Sequence, residues 1–158
     1  MSTPTRLSRS LEHADSKLAD CFLKAESEFE AAHPGVNIIV VESFRPQVVQ
    51  DAYFAQGRQL LPAVNELRLK AGLPAITQSQ NRIITYNRKS KHSSFPSKAI
   101  DIAFVVNKST DYKNTKRFEV FAKIMRRIDP SITWGGDWNR NGSTKDERFL
   151  DYPHFEVR

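Results

Sequence analysis

Apolar positions 11, 14, 18, 22, 25 and 29 recur at helical spacing, which predicts a first helix over about residues 10–32, closed by His33-Pro34-Gly35. The β-branched run VNIIVVESF that follows reads as a buried strand. Pro46 to Ala55 and Pro62 to Ala71 each read as a short helix, with Pro in the first turn and Gly57 or Gly72 just past the end. Residues 81–96 are polar and irregular except for RIITY, a candidate short strand, and AIDIAFVV is a second, well-marked strand. Lys113 to Ile128 places Phe118, Phe121, Ala122, Met125 and Ile128 on one helical face, and SITWGG and HFEV read as short strands around a polar loop. This order predicts an α+β fold, a single domain spanning 1–158 in which a small antiparallel sheet is flanked by helices. Within it, the N-terminal helix precedes a core unit expected over about 36–158.

Alternation along these strands also sorts their chemistry. In AIDIAF, Ile100, Ile102 and Phe104 share one face while Ala99, Asp101 and Ala103 share the other. A carboxylate between two small residues on an apolar strand needs a hydrogen bond, a cation or a metal, because burying its bare charge is too costly. His92 lies nine residues upstream, and the last strand carries His154 and Glu156 on one face with Phe155 and Val157 on the other. Two imidazoles and one carboxylate are a catalytic Zn2+ set that leaves one position for water. The competing reading is a structural aspartate and two unrelated histidines.

Asp151, three residues before His154, is the candidate general base, with Glu156 better placed for outer-sphere support. Arg45, at a strand end and fixed by Pro46, is a candidate for binding a substrate carboxylate or an oxyanion, or for pairing with Glu42 or Asp51. Gln50, one helical turn on, is expected to line the same cleft as a neutral donor.

Composition narrows the field. The chain of 158 residues is 39% hydrophobic and carries a formal net charge of +6, concentrated in residues 76–130, where twelve Lys or Arg face four acids. Such a stretch suits an anionic polymer or simply a solvated face. No run approaches the roughly 18 apolar residues of a membrane span, and the N-terminus lacks the apolar stretch of a secretory signal. The single cysteine, Cys21, excludes an internal disulfide framework and sits among helical core positions. No G-x-S-x-G elbow supports a serine hydrolase. No nucleic-acid motif is present, which leaves a basic nucleic-acid-binding module as a remote alternative, beside a non-catalytic metal-binding domain.

Five segments in order then bring a family into view: FRPQ leading to YFAQGR (Phe44 to Arg58), SKH (Ser90 to His92), A-x-D (Ala99 to Asp101), WGGDW (Trp134 to Trp138) and DYPHFE (Asp151 to Glu156). Together they resemble the D-alanyl-D-alanine carboxypeptidase and L-alanyl-D-glutamate peptidase family of zinc enzymes, most closely its phage endolysin branch. The resemblance implies a D,D-peptidase-like fold, His92, Asp101 and His154 as zinc ligands, Asp151 as catalytic base, Arg45 at the substrate with Gln50 in support, and Trp134 and Trp138 near the cleft. It further implies a peptidoglycan stem peptide as substrate, cut between L-alanine and D-glutamate, with D-alanyl-D-alanine carboxypeptidase activity as the alternative. A lysis enzyme of this kind is expected to be a monomer held in the host cytoplasm until a separate holin-type pore protein releases it to the wall. One departure stands out: the family's H-x-x-G-x-A-x-D is here HSSFPSKAID, two residues longer and without glycine. Residues 59–81 also run longer than in the shortest phage enzymes, and are expected to form a helical cover on the cleft.

Overall fold

The computed structural model describes residues 1–158. Nine regular elements follow one another as α1 (Ser16–Ala32), β1 (Val36–Glu42), α2 (Gln47–Ala55), α3 (Leu61–Lys70), β2 (Ala99–Val106), β3 (Ser109–Asp111), α4 (Thr115–Ile128), β4 (Ile132–Trp134) and β5 (His154–Val157). The strands form one antiparallel sheet in the order β1-β2-β5-β4, with β3 also on β2. One edge of β2 is thus divided: residues 99–101 pair with β5 and residues 104–106 with β3.

The expected α+β architecture is present, and its core follows from the two periodicities. Leu18, Phe22, Ala25 and Phe29 of α1 and Phe118, Phe121 and Met125 of α4 meet Ile100, Ile102 and Phe104 of β2 and Phe155 and Val157 of β5 in one buried cluster. Phe121 makes edge-on contacts with Phe22, Phe29, Phe104 and Phe155, at centroid separations of 5.6–6.3 Å, the arrangement that the quadrupoles of aromatic rings prefer. Cys21 belongs to this cluster, and burial raises its thiol to about 11, as expected of core filling.

Three sequence expectations are corrected, and one hairpin is added that the sequence reading did not include. The first helix is interrupted: a short 3-10 turn at Leu11–His13 precedes α1, whose N-cap is Asp15, and Ala14 bridges to Ser97 between them. RIITY forms no strand, and Ile83 and Ile84 are exposed. The added hairpin is β3, which turns back through Asn107 and Lys108, whose φ values of 51° and 64° suit a two-residue turn of mirror-image type that the sequence did not signal with glycine. Finally, α3 packs against α2 through Val64 and Arg68, and the far wall of the cleft is built by residues 84–91 instead of by a helical cover.

The β1–β2 ladder contains a register shift between Val40 and Glu42, which sets Glu42 opposite Asp101. A bulge of this kind re-aims side chains at a strand end. β1 therefore delivers Glu42 and, just beyond, Arg45 to the same end of the sheet as Asp101.

Candidate metal centre

Asp101 and His154 lie directly opposite one another across the β2–β5 ladder, and His92 reaches the same spot from a short 3-10 turn, Lys91–Ser93, capped by the Ser90 hydroxyl. One potential ligand atom from each residue falls within 4.8 Å of the other two. Asp101 Oδ1 is 3.1 Å from His154 Nδ1 and 3.3 Å from His92 Nε2. Residues that sequence alternation placed on one face of two strands are thus brought together, joined by a histidine from an irregular segment.

Each imidazole is oriented from behind. His92 Nδ1–H donates to the Ser43 carbonyl at 2.8 Å, which leaves Nε2 as the lone-pair nitrogen. That Nε2 is buried and, although 3.3 Å from Asp101 Oδ1, makes no well-aligned hydrogen bond. An unmatched buried nitrogen costs about 1–3 kcal/mol, so its persistence at the centre of a His-Asp-His cluster fits a metal ion. His154 Nε2–H donates to Glu156 Oε1 at 2.9 Å, which turns Nδ1 toward Asp101 and His92, and Glu156 is in turn paired with Lys91. Carboxylate or carbonyl partners of this kind fix the tautomer and raise the basicity of metal-binding histidines. The cluster is capable of coordinating a zinc ion on donor type and on this vacant lone pair.

The clustered side chains shift one another's protonation. Burial alone would raise the Asp101 carboxyl, but the His154 and His92 imidazoles override it and hold it far below the usual carboxylate range. Burial would lower His154, yet its hydrogen bonds to Asp101 and Glu156 raise it to about 9. Glu156 is depressed in the same exchange, its burial outweighed by His154 and Lys91. A metal ion here would displace the Nδ1 proton that His154 shares with Asp101.

Asp151 lines the same cleft, of about 730 Å³, without joining the three-residue cluster. Its carboxyl is raised, first by burial and then by the nearby Asp101 charge, against the opposing pull of His154, His92 and Arg45. Its backbone is fixed: Asp151 N–H donates to Gly135 O at 2.8 Å, and His154 N–H to Asp151 O at 3.1 Å. A Cβ on Gly135 would lie 2.2 Å from the Asp151 carbonyl oxygen, so the first glycine of WGGDW is what lets this loop approach β4.

Arg45 also lines the cleft, held by Glu42 and by Gln50 Oε1 at 2.7 Å. The pairing with Glu42 that the sequence left open is formed, whereas no ion pair joins Arg45 to Asp51. Gln50 does not line the cleft as a donor: it is fully buried behind Arg45, accepts from it, and donates to Asn87 O at 2.6 Å. The two tryptophans part company. Trp138 stands on the cleft wall with its ring centroid 5.4 Å from that of His154, while Trp134 is buried among Tyr152 and Phe155. Sequence reading missed Ser43 and Lys91, one contributing only a backbone carbonyl and the other a long-range ion pair, for which no local pattern exists.

Comparison with known proteins agrees with this geometry. A family model described as phage L-alanyl-D-glutamate peptidase matches residues 47–158. The crystal structure of Serratia marcescens L-Ala D-Glu endopeptidase ChiX is similar in fold, with a TM-score of 0.55 at 16% identity over 96% of this chain and 87% of that one. No curated protein sequence matches the chain.

Proposed function

Because the chain belongs to the phage L-alanyl-D-glutamate peptidase family, a family of zinc metallopeptidases, we propose that it cuts the amide between L-alanine and D-glutamate in peptidoglycan stem peptides, with His92, Asp101 and His154 as the metal ligands and Asp151 as general base. The observation that carries this reading is the buried, partnerless His92 Nε2 facing Asp101 and His154 in a cleft that also holds a carboxyl raised by burial.

Zinc held there would supply Lewis acidity, acidifying a water and polarising the scissile carbonyl. Asp151 takes the proton from the attacking water, a role favoured by a raised carboxyl close to but outside the ligand cluster. The same carboxyl then gives that proton to the departing amine. Arg45, braced by Glu42 and Gln50, presents its guanidinium to the cleft for the developing oxyanion or for a substrate carboxylate. Glu156 and Lys91 keep His154 in its ligating tautomer, and Trp138 forms an apolar wall beside it.

The substrate bond follows the family rather than a contact seen in the cleft, and the reading extends to a lysis enzyme that acts on the wall once a pore protein admits it. No helix is long and apolar enough to cross a membrane, in keeping with delivery by another protein. The deciding experiment is mass spectrometry of soluble products from purified Gram-negative peptidoglycan treated with zinc-loaded protein, with Asp151→Asn as control. New L-alanine C-termini and D-glutamate N-termini are expected; release of terminal D-alanine alone would replace this reading by a carboxypeptidase.

A further inference from the structure

The acceptor that orients His92 is itself built in an unusual way. Ser43 lies one residue beyond the end of β1, where the sheet ladder no longer fixes its peptide plane. Its carbonyl nevertheless accepts two hydrogen bonds, from His92 Nδ1 at 2.8 Å and from the Ser97 hydroxyl at 2.7 Å. The Ser97 hydroxyl oxygen in turn accepts from Ala99 N–H at 3.2 Å, at the start of β2. Ser43 and Ser97 are both fully buried.

The segment before α1 holds both serines. Ser43 N–H donates to Ser8 O at 2.7 Å and its hydroxyl to Ser10 O at 2.7 Å. Ser97 N–H donates to His13 O at 2.8 Å, and Ser97 O accepts from Asp15 N–H at 2.7 Å. One stretch of chain, outside the region matched by the family model, thus ties the residue behind His92 to the residue that leads into Asp101.

Ser97 stands four residues before Asp101, where the motif H-x-x-G-x-A-x-D has glycine, and it follows the two-residue extension of this chain. A longer loop between two ligands has more ways to misplace them, and a buried hydroxyl bridging its two flanks removes that freedom. We propose that Ser97 is a positioning residue of the metal centre: by joining the Ser43 carbonyl to the start of β2, it holds His92 in register with Asp101 and compensates for the lengthened loop. The proposal rests on the reading of His92, Asp101 and His154 as ligands.

The test is zinc affinity, measured on the full chain by competition with a chromophoric chelator, for the wild type and for Ser97→Ala, Ser97→Gly and Ser94→Ala. Partners that orient metal ligands typically cost 10–100-fold in affinity when removed, and Ser97→Ala and Ser97→Gly are expected to weaken zinc binding by about tenfold. Ser94→Ala, which removes a hydroxyl from the same loop bonded only to Lys91 O, Pro96 O and Lys98 N–H, is expected to leave it unchanged. In the zinc-loaded protein the His92 Nδ1–H proton, followed by NMR, should exchange faster in both Ser97 variants, a change that general loosening of the fold would not confine to that ring. Wild-type affinity and an unaltered His92 signal in Ser97→Ala would overturn the proposal. A wild type that binds no zinc would instead overturn the ligand assignment, and the role of Ser97 with it.

Discussion

The two faces of β2 solve opposite problems. On one, Ile100, Ile102 and Phe104 are matched by α1 and α4 until no side chain lacks a neighbour, and nothing further is needed to hold them. On the other, Asp101 meets two histidines, one with an unfilled nitrogen and the other protonated well above its ordinary range. The first face is satisfied by the chain alone; the second is complete only with something the chain does not encode. A strand whose alternate residues carry such different burdens couples fold to function, because the packing on one side fixes the geometry on the other.

The sharpest way to break the comparison is to remove a ligand. His154→Ala should abolish zinc binding and hydrolysis while leaving the helix-packed face folded, as judged by circular dichroism and by equilibrium dialysis with zinc. Asp151→Asn separates chemistry from binding: turnover should fall about 10²–10⁴-fold, the usual worth of a positioned general base, with zinc still bound. Loss of metal in that variant would make Asp151 a ligand instead.

Phe121→Ala attacks the opposite face. A buried aromatic cut to alanine costs about 3–5 kcal/mol, so thermal unfolding should drop markedly, while zinc affinity of the still-folded fraction changes little. A large loss of zinc affinity there would show that the two faces are less separable than their chemistry suggests. Glu156→Gln, which weakens the hold on His154 Nε2, should reduce zinc affinity about tenfold, with little effect on thermal unfolding.

Acidity gives a graded version of the same contrast. With the His154 imidazole raised to about 9, zinc binding releases a proton below that pH, so affinity should rise by about tenfold per pH unit from neutrality and flatten beyond 9. The sign for the metal-free fold is the reverse: a raised histidine stabilises it fully below its ordinary value of 6.5, and that contribution fades as pH rises through about 9. Chelator competition and thermal melts across this range check both limbs.

Much of this was legible in the sequence, for reasons that differ by residue. Strict alternation exposed Asp101 against Ile100 and Ile102, and His154 with Glu156 against Phe155 and Val157, because a period of two leaves no choice of face. Gln50 was misplaced because helical spacing gives a residue's side of the helix but not what covers it, and here Arg45 and Asn87 close over it. RIITY had strand composition, but its isoleucines are exposed and composition alone does not place a segment against a sheet. The turn at Asn107 and Lys108 adopts left-handed backbone without the glycine that usually announces it. The brace from Ser8 to Asp15 is made mostly of backbone groups, which every residue possesses and no sequence pattern marks.

Asp101 and His154 face each other across the β2–β5 ladder although 53 positions separate them in the chain. Closing so long a loop is entropically slow, and only three residue pairs join the two strands. An ion bridging those two residues would act as a rivet through the seam. Amide hydrogens of β5 should then exchange more slowly once zinc is added than in the stripped protein, making the last strand a reporter of occupancy that needs no substrate at all.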